Sequence, residues 1–198
     1  VRTRLRDYPS AEELAKLYPV PHDFTRWEDH ILRVNVSAAL LTTLNLPMGA
    51  FIADLSCGNG YLASGVAKFK EGYAFLGDIV SGVTPLDYVG PIEQTLDRMK
   101  DDFNDERHAD VFICSETLEH LDDPDSVLAK IHDIADILFI STPDGESDNS
   151  NPEHIWAWNS TDVEMMLRKA GWKPAILNLL DLRPMGFVYC YQMWVCTR

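Results

Sequence analysis

Glu116, Glu119 and His120 occupy positions i, i+3 and i+4 of one short segment. On a helical turn that spacing brings two carboxylates and an imidazole to a common face. Such a set suits a divalent ion: carboxylate oxygens favour Mg²⁺, and the imidazole leaves Mn²⁺, Fe²⁺ or Zn²⁺ open. A metal so placed binds an acceptor hydroxyl and lowers its pKa, making an alkoxide or phenolate nucleophile.

A second chemistry-bearing stretch is Asp54-Leu55-Ser56-Cys57-Gly58-Asn59-Gly60, between a predicted strand and a predicted helix. At such a junction small residues let the backbone pass close to a ligand, and helix N–H groups face the crevice at the strands' C-terminal ends. Asp78 closes the next predicted strand, where an acid accepts both hydroxyls of a ribose. Together the two features imply a nucleoside ligand. The turn does not supply G-x-G-x-x-G, because after Gly58 and Gly60 the next glycine is Gly65. A carboxylate at Asp54 would repel a pyrophosphate and suits a ligand with a positive ammonium or sulfonium centre.

The elements that must position these residues follow from periodicity. Residues 10–18 read as a short helix with Ser10 as N-cap and Glu13 completing a capping box, ended by Pro19 and Pro21. A second helix is expected from about Thr25 to Leu44, with Trp27, Ile31, Val34, Ala38 and Leu41 at helical spacing. From Pro47 onward short apolar runs alternate with helical stretches, the pattern of a parallel sheet with crossover helices. Strands are predicted at 51–55, 73–76, 111–114 and 137–141, with Tyr88 and Val89 as a candidate short strand. Helices are predicted at 61–70, 93–102, 124–135 and 161–170, the last stopped by Gly171. The closing runs 175–180 and 188–196 are separated by a loop holding Arg183, Pro184 and Gly186, short enough for an antiparallel hairpin. The expected fold is α/β, with residues 1–46 as an N-terminal helical extension or lid and 47–198 as one globular unit.

The glycine turn, with the acid after the second strand, resembles the class I methyltransferases that use S-adenosylmethionine (SAM), whose turn reads D-x-G-x-G-x-G or D-L-G-C-G-x-G. Asp110-Val-Phe-Ile-Cys-Ser-Glu-Thr-Leu-Glu-His-Leu-Asp-Asp-Pro is similar to that family's fourth strand and following loop. Ile140-Ser-Thr-Pro resembles the end of its fifth strand, and Trp158-Asn-Ser-Thr with Leu167-Arg-Lys-Ala-Gly-Trp its penultimate helix. The resemblance covers most of the chain. It implies a Rossmann-like, three-layer α-β-α sandwich whose mainly parallel seven-stranded sheet has the order 3-2-1-4-5-7-6, with the last-numbered strand antiparallel. It also implies that the unit 47–198 binds SAM through Asp54, Ser56, Cys57, Gly58, Gly60, Asp78, Ile79, Ile92, Glu93 and Ser115. Two positions depart from the pattern. Ser56 replaces the first glycine of the turn and is expected to narrow the approach to the methionine part of the cofactor. Pro91 stands where relatives have an Asp that reaches the adenine amino group, which leaves adenine to apolar packing and the Ile92 backbone.

The E-x-x-E-H run from Glu116 to His120 is similar to a site in ubiquinone-pathway O-methyltransferases and small-RNA 2′-O-methyltransferases. In the RNA branch a later histidine completes the site, and His154 holds a similar place here. The resemblance makes Glu116, Glu119, His120 and His154 candidate metal ligands, and His120, His154 and Glu116 candidate catalytic residues. The same L-E-H-L stretch also stands in relatives without metal, where the Glu and His hydrogen-bond around the active-site loop. Transfer is then an in-line attack that needs proximity, orientation and one base, His120 or His154, each with an unperturbed pKa near neutrality. A buried, merely satisfied histidine is the alternative for either. His22, His30, His108 and His132 have no comparable setting and read as structural or surface residues. Trp156 and Trp158 are candidates for an acceptor pocket or for core. Tyr18, Phe24, Trp27 and His30 read as part of the lid or as plain packing on the sheet.

Charge and composition bound the partners. The 198 residues carry 31 acids against 17 bases, for a net charge of −14, which repels a polyphosphate backbone and disfavours broad nucleic-acid binding. A hydrophobic content of 46% supports a packed core and excludes disorder. Cys57, Cys114, Cys190 and Cys196 form no C-x-x-C pair, so they point to a reducing compartment rather than to disulfides or a zinc site. No apolar run approaches the roughly 18 to 20 residues of a membrane span, and no signal-peptide core is present near the start. A soluble, cytoplasmic protein with no membrane partner is expected, its start at Val1 open to being incomplete. Arg2, Arg4 and Arg6 read as a small basic cluster or a frayed end. The function expected is methyl transfer from SAM to a small or medium-sized acceptor at oxygen. The alternatives are a catalytically silent SAM-binding subunit or sensor, a metal-dependent 2′-O-methyltransferase of an RNA end, and a nucleotide-binding reductase, against which the missing G-x-G-x-x-G counts.

Overall fold

The structure, a computed structural model, describes residues 2–82, 84–103, 108–146 and 151–198. Along the chain lie β1 (Thr3–Arg4), α1 (Ala11–Leu17), α2 (Glu28–Thr43), β2 (Phe51–Asp54), α3 (Tyr61–Phe69), β3 (Tyr73–Asp78), β4 (Tyr88–Val89) and α4 (Ile92–Phe103). They are followed by β5 (Ala109–Ser115), α5 (Pro124–Ile134), β6 (Ala135–Pro143), β7 (Trp156–Ala157), α6 (Ser160–Lys169), β8 (Lys173–Asp181) and β9 (Cys190–Thr197). Seven strands form one sheet in the order β4-β3-β2-β5-β6-β9-β8. Neighbours from β4 to β6 pair in parallel, and β9 inserts antiparallel between β6 and β8. This is the expected 3-2-1-4-5-7-6 order, with Tyr88 and Val89 supplying the short third strand.

Central parallel strands are covered on both faces and so read as continuous apolar runs. In β5, Val111, Phe112, Ile113 and Cys114 are all fully buried. Alternate residues serve opposite cores: Phe112 and Cys114 pack with Leu96, Met99, Leu128 and Trp172, while Val111 and Ile113 pack with Leu41, Ile52, Val66 and Phe139. Helices α4, α5 and α6 thus cover one face and α2 and α3 the other. The N-terminal ends behave as expected at α1, where Ser10 and Glu13 form both bonds of the capping box.

Three local expectations change. The single helix expected from Thr25 to Leu44 is divided: Asp23 caps a 3₁₀ turn over Phe24–Arg26, and Trp27 then takes an extended conformation that starts α2. The buried stripe of α2 is Arg33, Val34, Ser37 and Leu41, whereas Trp27 is 46% exposed. The N-terminal arginines are not frayed. β1 pairs antiparallel with β7, Arg2 and Arg4 each reach an aspartate, Asp125 and Asp122, at 2.6 Å, and the Arg2 guanidinium lies 3.9 Å from the Trp156 ring centre. The final hairpin turns through a 3₁₀ segment, Arg183–Met185, closed by Gly186 at φ +91°, so its second strand begins at Cys190 rather than at Val188. The four cysteines are unpaired. No helix among the described residues is long and apolar enough to cross a membrane.

Candidate functional site

The C-terminal ends of β2, β3 and β5 open on a cavity of about 440 Å³, within the usual range for small-molecule sites. Asp54 ends β2 with its carboxylate 3% exposed. Burial pushes its pKa up to about 8, although the Ser56 N–H, which donates to it at 3.1 Å, offsets part of the cost. The chain then turns through Gly58 and Gly60, both left-handed, at φ +55° and +73°. A Cβ on Gly58 would lie 2.6 Å from the His22 carbonyl oxygen, so only glycine admits that close crossing. Asp78 ends β3 and accepts the Gly58 N–H at 2.8 Å. Its carboxyl pKa is raised by burial, against hydrogen bonds from the Gly58, Ile79 and Val80 backbone.

Asp54, Ser56, Cys57, Gly58, Asp78 and Ile79 line the cavity, as do Ile92, Glu93 and Ser115. Gly60 is not on its surface and serves as the left-handed cap of α3. The Ser56 hydroxyl is turned toward Thr117, 2.7 Å away. The Cys57 thiol pKa is raised by burial, and its N–H donates to the Gly77 carbonyl at 2.9 Å. Pro91 also lines the cavity beside Ile92, giving that edge an apolar wall.

On the other side of the cavity the expected helical turn does not form. Glu116 takes φ +51°, and a 3₁₀ turn covers only Leu118–His120. The left-handed residue swings Glu116 away from its neighbours: its carboxylate accepts from the Ser141 hydroxyl at 2.9 Å and lies 4.0 Å from Arg33 Nε. Glu119, His120 and His154 do converge, with one ligand atom from each within 4.8 Å of the others. Glu116 lies outside that set, contrary to its expected place as a ligand.

Glu119 is 1% exposed and sits behind the cavity wall. Its Oε2 accepts from Thr142 Oγ1 at 3.1 Å, and its Oε1 is buried without a hydrogen-bond partner. Burial, and then the charge of Glu116, hold its carboxyl well above the ordinary range. His120 and His154 stand nearly perpendicular, ring centres 4.9 Å apart. His120 Nδ1 is 3.1 Å from the Glu153 carbonyl oxygen and 3.3 Å from the Tyr18 hydroxyl. Desolvation, and then His154, push the His120 pKa down to about 3, so this imidazole is neutral and is a poor base near neutral pH. That corrects its expected near-neutral pKa. His154 Nδ1 contacts Glu146 Oε2 at 2.6 Å, and Nε2 is 3.0 Å from Asn151 Nδ2. For His154 burial lowers the pKa, but the Glu146 hydrogen bond and the carboxylates of Glu119, Glu146 and Glu116 outweigh it and the net shift is upward.

Tyr18, His22, Phe24, Trp27 and His30 line the cavity from the N-terminal segment. Asp23 also accepts from Asn59 Nδ2 at 3.2 Å. His22 therefore faces the site, against the expectation of an ordinary position, and His30 faces it from the segment read as a lid. His108, 3.2 Å from Asp136, and His132, packed on Trp172, have the surface and structural roles expected of them. Trp156 and Trp158 do not line the cavity. Their indole N–H groups donate to the Leu121 carbonyl and to Thr142 Oγ1, which places them in packing. Arg33, Tyr189, Asn151 and Glu153 also line the site, and sequence reasoning misses them. For Arg33 a signal existed: it shares i, i+4, i+8 spacing with Ser37 and Leu41 on the buried face of α2.

The sequence matches the family profile described as a methyltransferase domain over residues 24–175. No curated protein matches the chain by sequence. Among solved structures it is similar to the 1,6-didemethyltoxoflavin-N1-methyltransferase of Burkholderia thailandensis with bound 1,6-didemethyltoxoflavin and S-adenosylhomocysteine. The TM-score is 0.67 at 16% identity, covering 100% of this chain and 94% of that one. A structure of the complex between the Haloferax volcanii Trm112 methyltransferase activator and a methyltransferase gives 0.65 at 15%, covering 96% and 99%. The [4+2]-cyclase SpnF gives 0.66 at 10%, covering 99% and 98%. At these identities the structures speak for the fold, and the family rests on the profile, which spans well over half of the sequence. The chain belongs to the class I SAM-dependent methyltransferases.

Proposed function

We propose that the protein transfers the SAM methyl group to a hydroxyl oxygen of a small or medium-sized acceptor, beside a divalent ion held by Glu119, His120 and His154. The observation that carries the reading is the convergence of these three side chains next to the cavity, with Glu119 Oε1 buried and unpartnered. The donor set fits a metal. Each imidazole engages an outer acceptor through Nδ1, the Glu153 carbonyl for His120 and the Glu146 carboxylate for His154. That arrangement fixes the tautomer and leaves the Nε2 lone pair of His120 for a ligand, while His154 Nε2 would exchange its hydrogen bond from Asn151 Nδ2, 3.0 Å away, for the ion. Two imidazoles with one carboxylate favour Mn²⁺, Fe²⁺ or Zn²⁺ over Mg²⁺. Such an ion would act as a Lewis acid that lowers the pKa of the acceptor hydroxyl.

The remaining roles belong to the chain itself. Asp54 offers a buried negative charge to the cofactor's ammonium, and Asp78 accepts from the ribose hydroxyls. Pro91 and Ile92 pack on adenine. The N-terminal segment, residues 1–46, acts as the lid, with the His22 carbonyl lying over Gly58 and Tyr18 and Trp27 walling the acceptor side. The net charge of −14 favours a small acceptor over a long nucleic acid. Unpaired cysteines suit a reducing compartment such as the cytoplasm.

The test is calorimetric titration of chelator-treated protein with Mn²⁺ and Zn²⁺, with S-adenosylhomocysteine titrated in parallel. Metal binding that Glu119→Gln abolishes while cofactor affinity stays intact supports the site. Methyl transfer that survives chelation removes the metal from the mechanism. A product methylated at nitrogen removes the oxygen acceptor.

A further inference from the structure

The three candidate ligands stand on two segments that the main sheet does not join. Glu119 and His120 lie on the 3₁₀ turn after β5, and His154 lies just before β7. β7 pairs with no strand of the seven-stranded sheet; its ladder partner is β1, with Thr3 opposite Ala157 and Arg4 opposite Trp156. A two-stranded ladder is marginal by itself. Hydrogen bonds do run directly between the segments: the Ile155 N–H donates to the Glu119 carbonyl at 2.7 Å, and the Trp156 indole N–H to the Leu121 carbonyl at 2.8 Å.

The N-terminal arm touches both segments at once. Its Leu5 N–H donates to the Ile155 carbonyl at 2.8 Å. Arg2 and Arg4, two residues apart and so on one side of β1, both meet Trp156, with guanidinium carbons 3.9 and 5.2 Å from its ring centre. The same guanidiniums reach across to the other segment, Arg2 to Asp125 and Arg4 to Asp122, each at 2.6 Å. Asp122 follows His120 by two residues, and Trp156 follows His154 by two. A surface ion pair is weak alone, but here two of them and a shared cation–π contact act on one joint. The joint matters because the ligand atoms of Glu119, His120 and His154 must stay within their 4.8 Å of one another to hold an ion together, and outer contacts that orient ligands govern metal affinity.

We propose that residues 2–6 form a clasp that holds the Glu119–His120 turn against the His154 segment, with Arg2 and Arg4 as positioning residues for the ion site. The proposal rests on the reading of those three side chains as ligands. It gives a task to the basic cluster of the sequence, which precedes the residues 24–175 matched by the family profile.

The experiment reverses both charges in the full chain, Arg2→Glu with Arg4→Glu. Calorimetry measures the affinities for Mn²⁺ and S-adenosylhomocysteine, and amide hydrogen exchange is followed over residues 117–122 and 152–157. In the variant Mn²⁺ should bind about tenfold or more weakly, S-adenosylhomocysteine within about twofold of the wild type, and the Ile155 amide should exchange faster. Added negative charge would by itself draw a cation in, so a loss of Mn²⁺ affinity has the sign of lost geometry. Arg2→Lys with Arg4→Lys keeps both ion pairs and should restore most of the Mn²⁺ affinity. Unchanged or tighter Mn²⁺ binding in the charge-reversed variant overturns the clasp. So does a loss of the same factor for the ion and for the cofactor, the mark of a general structural defect. If charge reversal prevents folding, Arg2→Gln with Arg4→Gln takes its place under the same criteria. If the wild type binds no Mn²⁺, the ion reading falls and exchange decides for the clasp: faster exchange at Ile155 in the charge-reversed but not the lysine variant supports it, and unchanged exchange overturns it.

Discussion

Cofactor binding should expel a proton from Asp54. Burial dominates its environment, the Ser56 N–H offsets part of the cost, Asp78 adds to it, and the carboxyl pKa stands at about 8. One pH unit is a factor of ten, so at pH 7 about nine-tenths of the free protein carries this proton. An ammonium in contact stabilises the carboxylate and returns its pKa toward the ordinary range. Binding of S-adenosylhomocysteine should then release about 0.9 proton at pH 7, about half a proton at pH 8 and about 0.1 at pH 9. The assay is calorimetry in buffers of different ionisation enthalpy, where the slope of observed heat against that enthalpy counts the protons. Asp54→Asn should show a smaller slope at pH 7 and weaker binding. A slope near zero in the wild type, or one unchanged by the substitution, would refute the placement of the ammonium at Asp54. The same group shapes the stability of the free chain. Its folded pKa lies above the unfolded value near 4, so its contribution is complete below about pH 4 and is lost as pH rises through about 8. The melting temperature should fall from pH 6 to pH 9 more steeply for the wild type than for Asp54→Asn.

Other outcomes follow from the same geometry. Asp78→Ala removes the ribose acceptor and should weaken S-adenosylhomocysteine about tenfold or more; unchanged affinity would sink the ribose assignment. Mn²⁺ affinity should fall as pH drops from 8 to 6, because the raised pKa values of His154 and Glu119 make protons compete with the ion, and a pH-independent titration contradicts that ligand set. Gly58→Ala places a Cβ 2.6 Å from the His22 carbonyl oxygen at φ +55°. It should cost about 1 to 3 kcal/mol in denaturant unfolding, and no loss would mean that the N-terminal segment does not cross there. Phe112→Ala, at a fully buried position, should cost about 3 to 5 kcal/mol by the same measurement, a value below 1 being incompatible with its central place in the core.

The parts of the fold that local pattern encodes are readable in the chain. β2, β5 and β6 are short apolar runs because both of their faces are covered, and the Ser10 and Glu13 box marks its helix by hydrogen bonds between residues three apart. The Asp54 turn and Asp78 are readable for the same reason, since each sits at a strand end that periodicity locates. What depends on distant partners is not readable. β1 and β7 are two residues each and pair across most of the chain's length, so neither carries a pattern of its own. The spacing of Glu116, Glu119 and His120 suggests one helical face, but φ +51° at Glu116 breaks it, a conformation that residue type does not announce. Arg33 escapes a search for apolar periodicity because its burial depends on hydrogen bonds to Ser115 and Ser141, more than eighty residues away.

The position of β9 has a consequence for synthesis. A ribosome delivers the chain in order, so β6 and β8 emerge while the strand that belongs between them is still unmade. Until residues 190–197 arrive, β6 presents an open edge beside Leu138, Phe139 and Ile140, all fully buried in the finished sheet. The pairing that closes this gap joins segments about fifty residues apart, a slow step relative to local helix formation. A message truncated before Cys190 would therefore yield a product with a permanently bare, apolar strand edge, a substrate for chaperones and proteases rather than a weaker enzyme.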